Sequence, residues 1–458
     1  MPPAHSSSIR TSGWTEIWKN RALVSLFALL FFLCSADQFF AVRINGFNVR
    51  FGQILLFVCA FISLIKLREE KKKRSENWNL HVSILKNWLP FFMFYVFSAG
   101  ISATAEPSFL KLGWALFNIG GAVLICLNQC WNRFLINGFF YGIVAIASIL
   151  WVQWILIYVF EMTVPDQSVF IQSQPLIVPW LHYLPVGYVQ STMNYFGGIL
   201  VLRPNAFYYE PSYAGCALAF SLPLVIALGW RKGFLKGLLA PSIILIAIIL
   251  TSSRGGILCV CFIFLFAFLG CWILKEKKLL IFLLKIIFLA SLLIGPLFLF
   301  PSGRNFMGFM LGPLGPSAAI SRLGDPRLSE GGRLTATLGG LHLWEKHFLF
   351  GNGISLPANK NSQGLGQETP SMWVEIGMES GLLGVGTFLL AVLKTLYDSI
   401  RTNRNNAIKI LIISAVTAHG LINMNFTATF PRLDYWLLFF LAINLCNASY
   451  FKSSNESR

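Results

Sequence analysis

The sequence predicts an all-α membrane protein of about twelve transmembrane helices, and three observations carry that prediction. Of the 458 residues 55% are apolar and only 12% are charged, a balance that a soluble core of this size does not need and repeated membrane spans do. Apolar windows of about 17 to 25 residues, the length that crosses a bilayer as a helix, recur twelve times along the chain. Lys and Arg fall unevenly between alternate connections, as they do where basic residues collect on the cytoplasmic side.

Taken in order, the first twenty or so residues are polar, with Pro2, Pro3 and a Ser run. The apolar segment after them is long and lacks a small-residue cleavage site, so it reads as a retained span rather than a signal peptide. The predicted spans are 22–41, 50–67, 88–104, 111–128, 135–160, 212–230, 236–252, 255–274, 279–299, 375–397, 407–424 and 434–451. With both termini cytoplasmic, the inner connections hold Lys66, Arg68, the run KKKR at 71–74, Lys86, Arg133, Arg231, Lys232, Lys236, Lys275, Lys277, Lys278, Arg401, Arg404 and Lys409. The short outer ones hold only Arg43, Arg50, Lys111, Arg254 and Arg432.

The chain reads as one membrane domain, 1–458, with two long extracytoplasmic loops at 161–211 and 300–374. Connections of that length are uncommon in a compact protein and usually functional. Within the second, LHLWEKHFLFGNG predicts a short helix on the membrane surface. The net charge of +17 would suggest a nucleic-acid partner in a soluble protein; here it is spread over membrane loops, and no nucleic acid is expected. Eight of the nine cysteines lie inside apolar stretches and no CxxC pair occurs, which favours small buried side chains over a disulfide framework or a zinc site. No histidine pair has metal-ligand spacing.

The outer basic residues are mostly Arg: Arg43, Arg50, Arg203, Arg254, Arg304, Arg322, Arg327, Arg333 and Arg432, against Lys111, Lys346 and Lys360. A guanidinium grips phosphate or carboxylate with a planar fork and stays charged, so the outer face suits an anion. Pairing with Asp325, Glu330, Glu345 or lipid head groups is the competing explanation for several of them. Three stand apart: Arg203 in LRPNAFYYEPSYAG, Arg254 in the short turn TSSRGG, and Arg333 in EGGRL, where paired glycines let backbone amides approach a ligand.

These segments resemble a family. LRPNAFYYEPSYAG is similar to an Arg-x-x-(Gly/Ala)-x-x-x-(Asp/Glu)-Pro pattern, TSSRGGIL to a Ser-Arg-Gly pattern heading a span, and WEKHFLFGNG to a pattern ending in Gly-x-Gly. Together with WVEIGMESGLLGVGTF they resemble the O-antigen ligase and O-antigen polymerase superfamily of bacterial inner-membrane glycosyltransferases. The resemblance implies a GT-C-like fold and transfer of a glycan from undecaprenyl diphosphate to an acceptor hydroxyl on the outer face, inverting, without a metal or other cofactor. It implies as partners the undecaprenyl-diphosphate-linked oligosaccharide, the bilayer, and polysaccharide-assembly proteins such as a flippase or chain-length regulator. It assigns Arg203, Arg254 and Arg333 to the diphosphate.

The ligases of that family keep a His where this chain has Pro370, followed by Ser371 and, after residues 372–380, by Gly381 and Gly384. Those two glycines, one turn apart, predict a close helix approach. Proline cannot accept a proton, which turns the reading toward a polymerase, with a ligase using another base as the near alternative. Candidate bases are Glu210, Glu368 and His419; pairing with Arg203, a solvated loop position and a structural hydrogen bond are their respective alternatives. An anion or small-solute transporter is the alternative from another class, and ionisable groups on opposed helices near mid-span would mark it.

Overall fold

A computed structural model describes residues 10–35, 41–44, 47–72, 76–101, 105–126, 128, 131–160, 190–193, 200–206, 208, 211–230, 233–296, 329–354, 371–403, 405–426 and 432–447. Its helices are α1 (Arg10–Ser35), α2 (Phe51–Lys72), α3 (Glu76–Gly100), α4 (Ala105–Cys126), α5 (Asn132–Tyr158), α6 (Pro211–Gly229), α7 (Ala240–Leu250) and α8 (Arg254–Ile273). They continue with α9 (Lys277–Ile294), α10 (Ser329–Lys346), α11 (Met372–Thr402), α12 (Asn406–Ala418), α13 (Met424–Phe426) and α14 (Leu433–Asn447). Single π turns, Leu235–Leu239 and His419–Asn423, precede α7 and join α12 to α13.

Every predicted window contains a helix. Five stretches are long and apolar enough to cross a membrane by length and composition: Val82–Gly100, Asn132–Tyr158, Pro211–Gly229, Arg254–Ile273 and Met372–Arg401. Shorter apolar helices occupy Arg21–Cys34, Phe51–Ile65, Lys111–Cys126, Leu235–Leu250, Asn406–Ile422 and Leu433–Cys446. Two small antiparallel hairpins add to the helical frame. Strand β1 (Ala41–Ile44) pairs β2 (Phe47–Arg50) with Ala41 opposite Arg50, and β3 (Gln190–Met193) pairs β4 (Leu200–Arg203) with Gln190 opposite Arg203. Four-residue strands are too short to register as periodicity in a sequence window. The first hairpin occupies the short connection predicted between the spans 22–41 and 50–67.

Packing in the bundle follows from small residues and aromatics. A Cβ on Gly138 of α5 would fall on Phe27 and the Ala28 backbone of α1, and one on Gly142 would lie 2.9 Å from the Ala28 carbonyl. Glycines thus let α1 and α5 touch backbone to backbone, as small residues do between helices in lipid. Gly138→Val is expected to lower the melting temperature of the purified protein, since overpacking costs about 1–3 kcal/mol; a wild-type melting curve would contradict this contact.

Elsewhere the core centres on Trp88, whose ring meets Phe91, Phe388, Trp436 and Phe439 at centroid distances of 5.5–6.1 Å. Its indole N–H donates to Thr395 Oγ1 (3.1 Å), satisfying the one polar group it buries. Of the eight described cysteines seven are buried and Cys261 is exposed.

Candidate functional site at the loop end

The first turns of α6, α8, α11 and α14 lie together at one end of the bundle. Gly256 of α8 sits against the Gly215 backbone of α6, where a Cβ would lie 2.8 Å from its carbonyl carbon. Trp373 Nε1 in α11 donates to the Gly420 carbonyl (2.9 Å) in the π turn after α12. The Arg432 guanidinium before α14 lies 4.3 Å from the Tyr213 ring centroid of α6. Helix N-termini carry partial positive charge and free N–H groups, so this end favours an anion.

The LRPNAFYYEPSYAG motif begins in β4 with Arg203 and leads into α6 at Pro211. Proline suits that first position, where its missing N–H would have no partner anyway. Between them Ala206 takes φ +52°, which a non-glycine residue rarely adopts. Gln153 of α5 holds it: Ala206 N–H donates to Gln153 Oε1 (2.9 Å) and Gln153 Nε2 donates to the Ala206 carbonyl (3.0 Å). The Arg203 side chain and Glu210 lie outside the described residues.

TSSRGG makes the turn from α7 to α8. Ser252 adopts φ +52°, the Ser253 N–H donates to Thr251 Oγ1 (3.2 Å), and Ser253 caps α8 by accepting from the Gly256 N–H (3.1 Å). Arg254 is the first residue of α8 and its side chain is exposed. The two serines therefore form the turn that presents Arg254 at this end.

The remaining motifs join in one device. Within α11, Gly381 has φ 66° and ψ −169°, which breaks the helix into 372–380 and 382–402. The loop after α10 fills the break. Asn352 N–H donates to the Met378 carbonyl (2.7 Å) and Gly353 N–H to the Glu379 carbonyl (3.0 Å), while Leu382 N–H and Leu383 N–H donate to the carbonyls of Phe348 (2.8 Å) and Leu349 (3.3 Å). One loop thereby satisfies carbonyls and amides on both sides of the break, with Gly351 at φ +74° and Gly353 at φ +88° allowing the fold-back.

This corrects the expectation of a close helix approach through Gly381 and Gly384. The neighbour of Gly381 is the Leu349–Phe350 backbone, and the space beside Gly384 is taken by Ser380. Helix α10 packs along the first half of α11, its Gly340 against Val374 and Met378 and its Trp344 over Gly377. Arg333 lies in α10, with its side chain outside the described set. The segment predicted as a short surface helix is the last turn and a half of α10 and the loop that clasps α11.

Two charged groups at this end were not singled out by the motifs. Arg432 grips Asp434 with two hydrogen bonds, Nε to Oδ1 at 3.0 Å and Nη2 to Oδ2 at 2.6 Å. Burial works against the Arg432 charge, and Asp434 more than offsets it, so its pKa is raised. Burial holds the neighbouring Tyr208 phenol well above its usual pKa; the Asp434 charge adds to this and Arg432 opposes it. The second group joins three helices: Lys111 Nζ of α4 lies 2.6 Å from both Glu375 Oε1 and Glu379 Oε1 of α11, and Tyr95 OH of α3 donates to Glu379 Oε2 (2.8 Å). The spacing of Glu375 and Glu379, four residues apart in an apolar stretch, was the signal that could have found it, since it sets both on one helix face.

Of the candidate bases, Glu368 also lies outside the described residues, as does Pro370. His419 is buried in the π turn, its ring stacked between Phe220 (4.6 Å, 24°) and Tyr435 (4.5 Å, 13°). Among the described residues no group of three or more His, Cys, Asp or Glu has metal-binding geometry.

Fold and site together define a polytopic helical membrane protein with an arginine-bearing, helix-N-terminal face. Residues 239–389 match the family model described as O-antigen ligase, which supports placing the chain in the O-antigen ligase and polymerase superfamily. No curated protein matches the chain. The match spans TSSRGG, α10, the clasp and the broken helix; LRPNAFYYEPSYAG lies before it, and the structure brings it to the same end through the Gly215–Gly256 contact.

Proposed function

We propose that the chain is a surface-polysaccharide polymerase of the O-antigen or exopolysaccharide type. It transfers a glycan from a polyprenyl-diphosphate donor to a sugar hydroxyl of the acceptor, at the outer face of a bacterial inner membrane crossed twelve times with both termini inside. The observation that carries this reading is the convergence of the family-matched segment with LRPNAFYYEPSYAG at one end of the bundle.

The acceptor hydroxyl attacks the anomeric carbon as the bond to the diphosphate breaks, with inversion and without a metal. Arg203, Arg254 and Arg333 bind the diphosphate and stabilise the charge that develops on its oxygens. Helix N-termini of α6, α8 and α11 add to that field. Pro370 stands where ligases of the family keep a His, and this favours a polymerase; a ligase with a different base is the neighbouring reading. The proton passes to Glu210, Glu368 or His419, and the stacking of His419 between two rings places it last among them. A flippase and a chain-length regulator are the expected functional partners.

One observation favours the transporter alternative: Lys111, Glu375 and Glu379 pair across opposed helices. They lie within about two turns of the loop end, however, rather than at the middle of the bundle. The deciding experiment is genetic. A deletion strain is expected to lose long surface chains while single repeat units persist, and Arg254→Ala is expected not to restore them, with kcat for glycan transfer reduced about 10²–10³-fold. Normal long-chain polymer in the deletion strain would sink the reading.

A further inference from the structure

We propose that Gln153 is a positioning residue that sets the segment between Arg203 and Glu210, an inference that rests on the glycan-transfer reading above. Gln153 is fully buried on α5, fifty-three residues away in sequence from the peptide it holds. A primary amide is the side chain suited to this task, because it donates and accepts in one plane. Here it does both to a single residue, taking the Ala206 N–H and giving to the Ala206 carbonyl.

That residue needs holding. Ala206 sits at φ +52°, in a region that costs a non-glycine residue free energy and persists where the surroundings over-determine it. The turn is closed on its other side by Tyr208 N–H donating to the Asn205 carbonyl (2.9 Å) and Asn205 Nδ2 to the Tyr208 carbonyl (2.7 Å). Tyr208 in turn lies 5.6 Å from the Arg432 guanidinium. Gln153 thus holds the backbone at Ala206, while Arg432 lies against the ring of Tyr208 two residues on. In sequence Arg203 precedes Ala206 by three residues and Glu210 follows it by four. Backbone strain clamped by a buried amide, between a proposed diphosphate ligand and a proposed base, is preorganisation.

The test uses the full-length protein in detergent or nanodiscs with Gln153→Leu and Gln153→Glu. Leucine removes both hydrogen bonds, so amide hydrogen exchange across 203–210 is expected to quicken at least tenfold at Ala206. The transfer kcat is expected to fall on the order of 10²-fold, with a much smaller change in KM for the lipid-linked donor. Glutamate separates positioning from general destabilisation: a protonated carboxyl donates and accepts as the amide does, a carboxylate only accepts. Protection at Ala206 and kcat in Gln153→Glu are therefore expected to recover together as pH falls, along a titration absent from wild type. Should Gln153→Leu fail to fold, the pH profile of Gln153→Glu decides alone. Wild-type exchange over 203–210 in Gln153→Leu, or a wild-type pH profile in Gln153→Glu, would overturn the inference. If wild type itself transfers no glycan, the functional reading falls, and the exchange measurement still decides the role of Gln153.

Discussion

Gly381→Ala is expected to melt far below wild type or to leave no monodisperse protein. The backbone at Gly381, φ 66° and ψ −169°, lies in a region essentially restricted to glycine, and forcing another residue there costs about 1–3 kcal/mol. A Cβ would in addition fall on the Leu349 carbonyl, displacing the loop that satisfies both edges of the break. The four backbone hydrogen bonds of the clasp would then weaken together, each worth about 1 kcal/mol net. Gly386→Ala is the control: a Cβ there meets nothing within 4 Å, and alanine gains up to about 1 kcal/mol over glycine in a helix interior. If the two variants melt alike, the clasp is not what holds this part of α11.

Lys111→Met is expected to be the second large loss, about 3–5 kcal/mol, the usual effect of removing one partner from a buried ion pair. Among the described residues the Lys111 ammonium pairs with both Glu375 and Glu379, and the Glu379 side chain is fully buried. Without it two carboxylates share a helix face in a poorly solvated place. Lys111→Met with Glu379→Gln removes one of those charges and is expected to recover a substantial part of the loss, measured as the shift in melting midpoint. A single Lys111→Met variant as stable as wild type would show that the contact contributes nothing.

These two sites mark where the sequence is legible and where it is not. The twelve helical windows were readable because apolarity and length are local properties. Arg254 at the head of α8 was readable for the same reason: a charge in a short turn between two apolar stretches can be seen within six residues. What could not be read was pairing at a distance. Lys111 meets Glu375 and Glu379 across more than 260 residues, and nothing near Lys111 announces its partners. Gln153 sits in a plainly apolar helix, where one amide looks incidental until Ala206 is placed beside it. Gly381 was visible as a glycine one turn from another, which suggested packing; that its φ is positive depends on a loop thirty residues earlier.

The break in α11 also has a consequence for how the chain meets a bilayer. As one rod, Met372–Thr402 would be about 46 Å long at 1.5 Å per residue, well beyond a hydrocarbon core of about 30 Å. Divided at Gly381, the part from 382 to 402 measures about 31 Å, of the order of that thickness. The remaining piece, 372–380, is set off from that rod by the break, and it carries Glu375 and Glu379 with the Lys111 ammonium that bridges them. The glycine thus separates the short turns that carry these ionised groups from the longer, more apolar rod that follows.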